Sequence, residues 1–142
     1  MSKGNNFEND WLKLIFNGTG VANLADNAAS SPLTSLYVAL HTADPGEAGT
    51  QATSECAYTG YARVAVARTS GGWTVANNVA SPAADIAFGS CTAGSETATH
   101  FSVGVAAAGA TKLLYSGALT ASGAIGVGVQ PKLTTATTIT ED

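Results

Sequence analysis

At 142 residues the chain is the size of one domain around one core, large enough to fold without a metal or disulfide staple. Charge is more telling than length: Asp, Glu, Lys and Arg make up 11% of residues, against about 25% in an ordinary soluble domain, so Ala, Thr, Ser and Gly cover a surface poorly defended against association. Six basic residues and a net charge of −4 exclude the clustered cations a nucleic acid partner needs, and no apolar run reaches the roughly 18 residues of a membrane span.

The first residues, MSKGNNFEND, lack the apolar centre of a secretory signal, so the chain is expected to be made in the cytoplasm. Cys56 and Cys91 are accordingly expected as free, partly buried thiols. The first element is a helix over residues 6–18. Phe7, Trp11 and Ile15 recur at i, i+4 and i+8, and Leu12, Leu14 and Phe16 widen the stripe. Asn5 or Asn6 can cap its start, Glu8 and Asp10 suit the positive end, and Asn17-Gly18 supplies a left-handed stop. The apolar face is expected to dock on the chain's own sheet or on a neighbouring subunit.

From Val21 to Leu33 the chain loses periodicity and reads as a connecting loop. Leu36 to His41 alternates as a half-buried strand, with Leu36, Val38 and Leu40 on one face. Asp44-Pro45-Gly46 ends it, and residues 42–60 form a long polar loop. Residues 61–68, YARVAVAR, read as a strand that turns at Ser70-Gly71-Gly72 into Trp73-Thr74-Val75, a hairpin. Short strands follow at 85–88, from Thr99, at 112–119 and at 124–129, and the Thr-rich segment 133–140 has strong β preference. About eight strands and one helix give a mainly β fold. The expected architecture is a single antiparallel β sandwich over 1–142, jelly-roll-like, with one short N-terminal helix and residues 134–142 as an extended C-terminal strand or arm.

The stock of chemistry is small. There is no G-x-S-x-G, no H-E-x-x-H, no C-x-x-C and no phosphate-cradling loop with its lysine. Gly123 to Gly128 looks like a dinucleotide loop, but Pro131 and a Thr-rich strand follow it where a helix is required. His41 and His100 lack a third ligand at a usable spacing and read as satisfied structural histidines. Arg63, alone in an apolar strand, is expected to meet a carboxylate or backbone carbonyls as a structural contact. No catalytic residue, cofactor or metal site is expected. The candidate interface residues are Phe7, Trp11 and Ile15 on the helix, Tyr61 and Trp73 on the strands, and Ile139 near the C-terminus.

The ordered segments LYVALHTADPG, GYARVAV, ATHFSVG, LLYSGALT and LTTATTIT span nearly the whole chain, and they resemble the landmarks of a small tailed-phage virion family. Its members often carry the label of phage tail fibre protein, and the group is similar to jelly-roll capsid cement or decoration proteins. The resemblance implies a structural protein on the outer surface of the capsid, partnered by the major capsid protein and by itself as a homodimer or homotrimer. The alternative it implies is a tail fibre or tail-associated protein that binds a host-surface glycan. The loop between Pro45 and Gly60 departs most from the pattern.

Overall fold

The structure, a computed structural model, describes residues 5–21 and 32–141. Most of the expected 21–33 loop therefore lies outside the described residues, as does the last residue of the expected arm. The chain is mainly β with one short N-terminal helix. Strands β1 (Ser35–His41), β2 (Val64–Ala67), β3 (Trp73–Ala76), β4 (Val79–Pro82), β5 (Ile86–Ala87), β6 (Glu96–Gly104), β7 (Leu113–Ile125), β8 (Lys132–Leu133) and β9 (Ile139–Thr140) form sheets in the orders β2-β1-β6-β7, β3-β4-β9 and β5-β8. The pairs β1/β6, β6/β7, β3/β4 and β4/β9 are antiparallel.

Two compact units share the chain. One draws on Met1–Ser35, Val66–Asp85 and Leu133–Asp142, the other on Leu36–Ala65 and Ile86–Lys132. In the first, helix α1 (Asn5–Leu12) continues into a π-helical turn over Lys13–Asn17 and stops at Gly18, whose φ of 65° is the left-handed conformation that glycine adopts without steric cost. The buried positions are Glu8, Leu12 and Phe16, so of the expected stripe Leu12 and Phe16 face the core, while Phe7, Trp11 and Ile15 lie one residue to the side. Phe7 and Trp11 are 40% and 38% exposed, and Ile15 is half-buried. Glu8, Leu12 and Phe16 keep the same i, i+4, i+8 spacing as Phe7, Trp11 and Ile15, so the period holds and periodicity alone does not choose which of two adjacent rows turns inward.

Phe16 meets Trp73 edge to face, ring centroids 4.7 Å apart, and both are buried with Leu12, Ala80 and Ile139. The π-turn leaves carbonyls unpaired at the helix end. Arg68 answers them, Nε donating to Ile15 O at 2.6 Å and an Nη group donating to Leu14 O.

The expected hairpin from YARVAVAR into Trp73 does not form. The turn is present, with Gly72 N and Trp73 N both donating to Thr69 O at 3.0 Å, yet β2 joins β1 while β3 pairs with β4. The real hairpin closes on Asn77-Asn78 between Ala76 and Val79, with Asn77 at φ 55°, as a tight two-residue turn requires.

In the second unit the core gathers Leu36, Val38 and Leu40 of β1, Phe101 and Val103 of β6, and Phe88, Tyr58 and Ile125. β1 begins as the alternating strand expected, but from Val38 onward both faces are buried. The long loop returns alongside it, with Cys56 N donating to Leu40 O at 2.9 Å and Thr42 N to Ser54 O at 2.8 Å.

The strands expected at 112–119 and 124–129 are one strand, β7. Its turn-like middle is absorbed as a bulge: Gly123 pairs with Ala98 and Ala118 with His100, so Leu119 to Ser122 sit opposite Thr99 alone. Conversely, the Thr-rich end is not continuous. A turn in which Thr137 N donates to Thr134 O at 3.0 Å separates β8 from β9.

Candidate functional site

The six candidate interface residues divide between the two units. Phe7, Trp11, Ile15, Trp73 and Ile139 belong to the first unit and Tyr61 to the second. Trp73 and Ile139 are 1% and 7% exposed, which makes them core residues of their unit, unavailable to a partner. Their apolar character selected them correctly for burial but could not say by what. Phe7 and Trp11 remain at the surface.

The densest polar constellation of the second unit centres on Arg63. Its guanidinium is held by Glu55 in a two-pronged grip, Nε to Oε1 at 2.7 Å and Nη2 to Oε2 at 2.8 Å. The remaining N–H groups donate to Ala106 O at 2.9 Å, Gly109 O at 2.8 Å, Thr111 Oγ1 at 3.0 Å and Gln51 Oε1 at 3.3 Å. The structural contact expected for Arg63 is therefore present. Tyr61 adds its hydroxyl to Glu55 at 3.0 Å and accepts from Leu40 N at 3.0 Å. Gln51, fully buried, donates to Tyr37 O at 2.9 Å. Gly104 is required beside it, since a Cβ there would fall 2.1 Å from the Gln51 side chain.

Electrostatics follow from this closure. The Glu55 carboxylate strengthens the hold of Arg63 on its proton. Burial, with Glu55 beside it, lifts the Tyr61 phenol well above its usual range. Burial first and then Glu96 push the Cys56 thiol up to about 12, and burial raises Tyr58 to about 12. Both cysteines are free and buried.

His41 is fully buried. Its Nδ1 lies 2.9 Å from the Thr53 carbonyl and therefore donates, leaving Nε2 to accept from the Ser102 hydroxyl at 2.8 Å. That arrangement fixes a neutral tautomer, and burial holds the imidazole below its usual pKa. A hydroxyl beside an imidazole has the elements of a nucleophile and base, but Ser102 is itself fully buried, so no substrate reaches it. The pair locks β1 to β6.

A hollow of about 330 Å³ beside the Arg63 cluster is lined by Glu55, Cys56, Tyr61, Arg63 and the Ala107–Gly109 turn among others. Its polar groups already answer one another, so it offers a binding surface little unspent hydrogen-bonding capacity. Among the described residues no three His, Cys, Asp or Glu side chains gather as a metal set, and no helix is long and apolar enough to cross a membrane. Sequence reasoning missed Glu55 and Gln51. A lone arginine in an apolar strand demanded a carboxylate, but the polar loop offered both Glu47 and Glu55 at no recognisable spacing.

Compared with known proteins, the chain matches a family described as Podophage GP4 fiber I protein gp80, over residues 3–140. No curated protein sequence matches it.

Proposed function

The chain belongs to the podophage GP4 fiber I protein gp80 family, and on that membership we propose that it is a structural subunit of a fibre on a podophage virion, acting by packing against copies of itself and adjoining virion proteins. The match over residues 3–140 carries this reading, because it draws on both units and takes in all nine strands, β1 to β9. Two physical features support it. Charge is sparse, which lowers the desolvation cost of burying the surface in an assembly. Titratable groups whose proton affinity the fold shifts, among them His41, Cys56 and Tyr61, are spent on internal contacts rather than turned toward a substrate.

No reaction is assigned to the chain. In the capsid-decoration reading suggested by the landmark segments, the partner is the major capsid protein and the protein lies on the outside of the shell. In the fibre reading, its partners are other fibre chains and the tail. Deleting the gene from the phage separates the two. Particles without the fibre but with shells of normal heat resistance support the proposal. Particles with fibres intact and shells that leak DNA on mild heating overturn it.

A further inference from the structure

Among the described residues of the second unit, Val127 and Val129 are the large apolar side chains left exposed, at 72% and 40%. They stand on the turn that follows β7, where polar residues and glycine are the usual occupants. The turn is held firmly. Val129 N donates to Gly126 O at 2.9 Å, Gly128 N to Cys91 O at 2.8 Å and Cys91 N to Val129 O at 2.9 Å. Gly128, at φ 88°, supplies the left-handed third position of a type II turn. A side chain presented on so fixed a backbone loses little freedom when it docks.

The hollow of about 330 Å³ beside Arg63 has the complementary character. It is lined by Ala57, Ala62, Ala107 and Ala108, all exposed. The Glu55 carboxylate and Arg63 guanidinium that also line it satisfy each other. What it can still take at low cost is therefore an apolar group.

Knob and hollow belong to opposite ends of the β6–β7 ladder. That ladder runs from Glu96 opposite Ile125 to Gly104 opposite Leu113, roughly 27 Å at about 3.4 Å per residue of β6. The Ala107–Gly109 turn of the hollow lies beyond one end and the Gly126–Val129 turn beyond the other. Val127 does not line the hollow of its own chain.

We propose that Val127 of one copy of this chain seats in the alanine-lined hollow of the next, so that copies join head to tail. A second copy fits because every chain that brings the knob also brings the hollow. No Asp or Glu lies between Glu96 and Glu141, so the approaching turn adds no carboxylate to a chain of net charge −4. The two surfaces differ, which makes the contact heterologous, and it continues from copy to copy into a ring or a filament. The inference rests on the reading of the chain as a fibre subunit that packs against its own copies, and it names the contact.

Analytical ultracentrifugation of the full chain over a concentration series tests it. The parent should assemble past the dimer, each contact having a Kd on the order of 100 µM, in keeping with a small interface. Val127→Lys and Ala108→Lys, both at exposed positions, should leave circular dichroism unchanged and each weaken association at least about tenfold, the loss of one buried valine. Val127→Ser, the milder change, should weaken association in the same direction and reads the contact even if a lysine disturbs the fold. An equimolar mixture of the Val127→Lys and Ala108→Lys chains should form a dimer and stop there, because a single intact knob meets a single intact hollow. A parent that stays monomeric up to about 1 mM, a variant that associates as the parent does, or a mixture that stays monomeric or grows past the dimer would each overturn the proposal. Such a failure leaves the position in the virion untouched, which deletion of the gene tests separately.

Discussion

Arg63 and Glu55 face each other as a guanidinium–carboxylate fork, 2.7 and 2.8 Å on its two prongs, with the arginine side chain 1% exposed and the glutamate 17%. The cation is thus the more deeply committed partner. Glu55→Gln strands it, and the expected cost is about 3–5 kcal/mol of unfolding free energy. Arg63→Lys keeps a charge but loses the fork and the donor array that reaches four further acceptors, and should also destabilise. Urea denaturation followed by circular dichroism measures both. A cost for Glu55→Gln within a few tenths of a kcal/mol of zero would mean the pair is replaceable by solvent.

His41 gives the fold a pH dependence of definite sign. Its folded pKa is lowered by burial from 6.5, so at mildly acid pH the unfolded chain takes up a proton that the folded chain refuses. The stability tied to His41 is present in full above about pH 6.5 and is lost as pH falls below it, with a slope of at most about 1.4 kcal/mol per pH unit. Unfolding free energies measured between about pH 8 and pH 5 should show that slope, and His41→Asn should flatten it. The same slope in the variant would assign it to another group.

The thiols should be inert in the folded protein. Cys56, pushed up to about 12, stays protonated at neutral pH, and Cys56 and Cys91 are 2% and 1% exposed. Because the thiolate is the reactive species, labelling by an alkylating reagent should proceed only as fast as the protein opens. Rapid labelling in the absence of denaturant would contradict the burial of these two side chains.

The two tryptophans should differ sharply. Trp73→Ala removes a side chain packed edge to face on Phe16 and should cost about 3–5 kcal/mol. Trp11→Ala, from a position 38% exposed, should cost well under half as much. Trp73→Phe should cost less than Trp73→Ala, since the indole Nε1 is buried without a hydrogen-bond partner and its removal relieves that deficit. Equal costs for Trp11→Ala and Trp73→Ala would show that the helix packs by the face read from its periodicity.

That contrast also marks how far the sequence could be read. The mainly β character, the N-terminal helix with its Gly18 stop, and β1 all follow from local signals, because capping and alternation are short-range physics. The helix period is legible, but Phe7, Trp11 and Ile15 share it with the next row, Glu8, Leu12 and Phe16, and only packing such as that of Phe16 on Trp73 decides which row is buried. The partner of β3 was misread because Ser70-Gly71-Gly72 and Asn77-Asn78 are both credible turns, and only sheet pairing decides which one closes a hairpin. Arg63 was legible as a residue needing a partner, while Glu55 was not, since the loop that delivers it is placed by contacts distant in sequence.

The central claim is a position in the particle, and cryo-electron microscopy of the intact virion tests it most directly. The account predicts density for this fold, recognisable by the 13-residue β7 with its bulge at Leu119 to Ser122, in a fibre attached to the tail. The same density found instead on the outer faces of the capsid shell would contradict it.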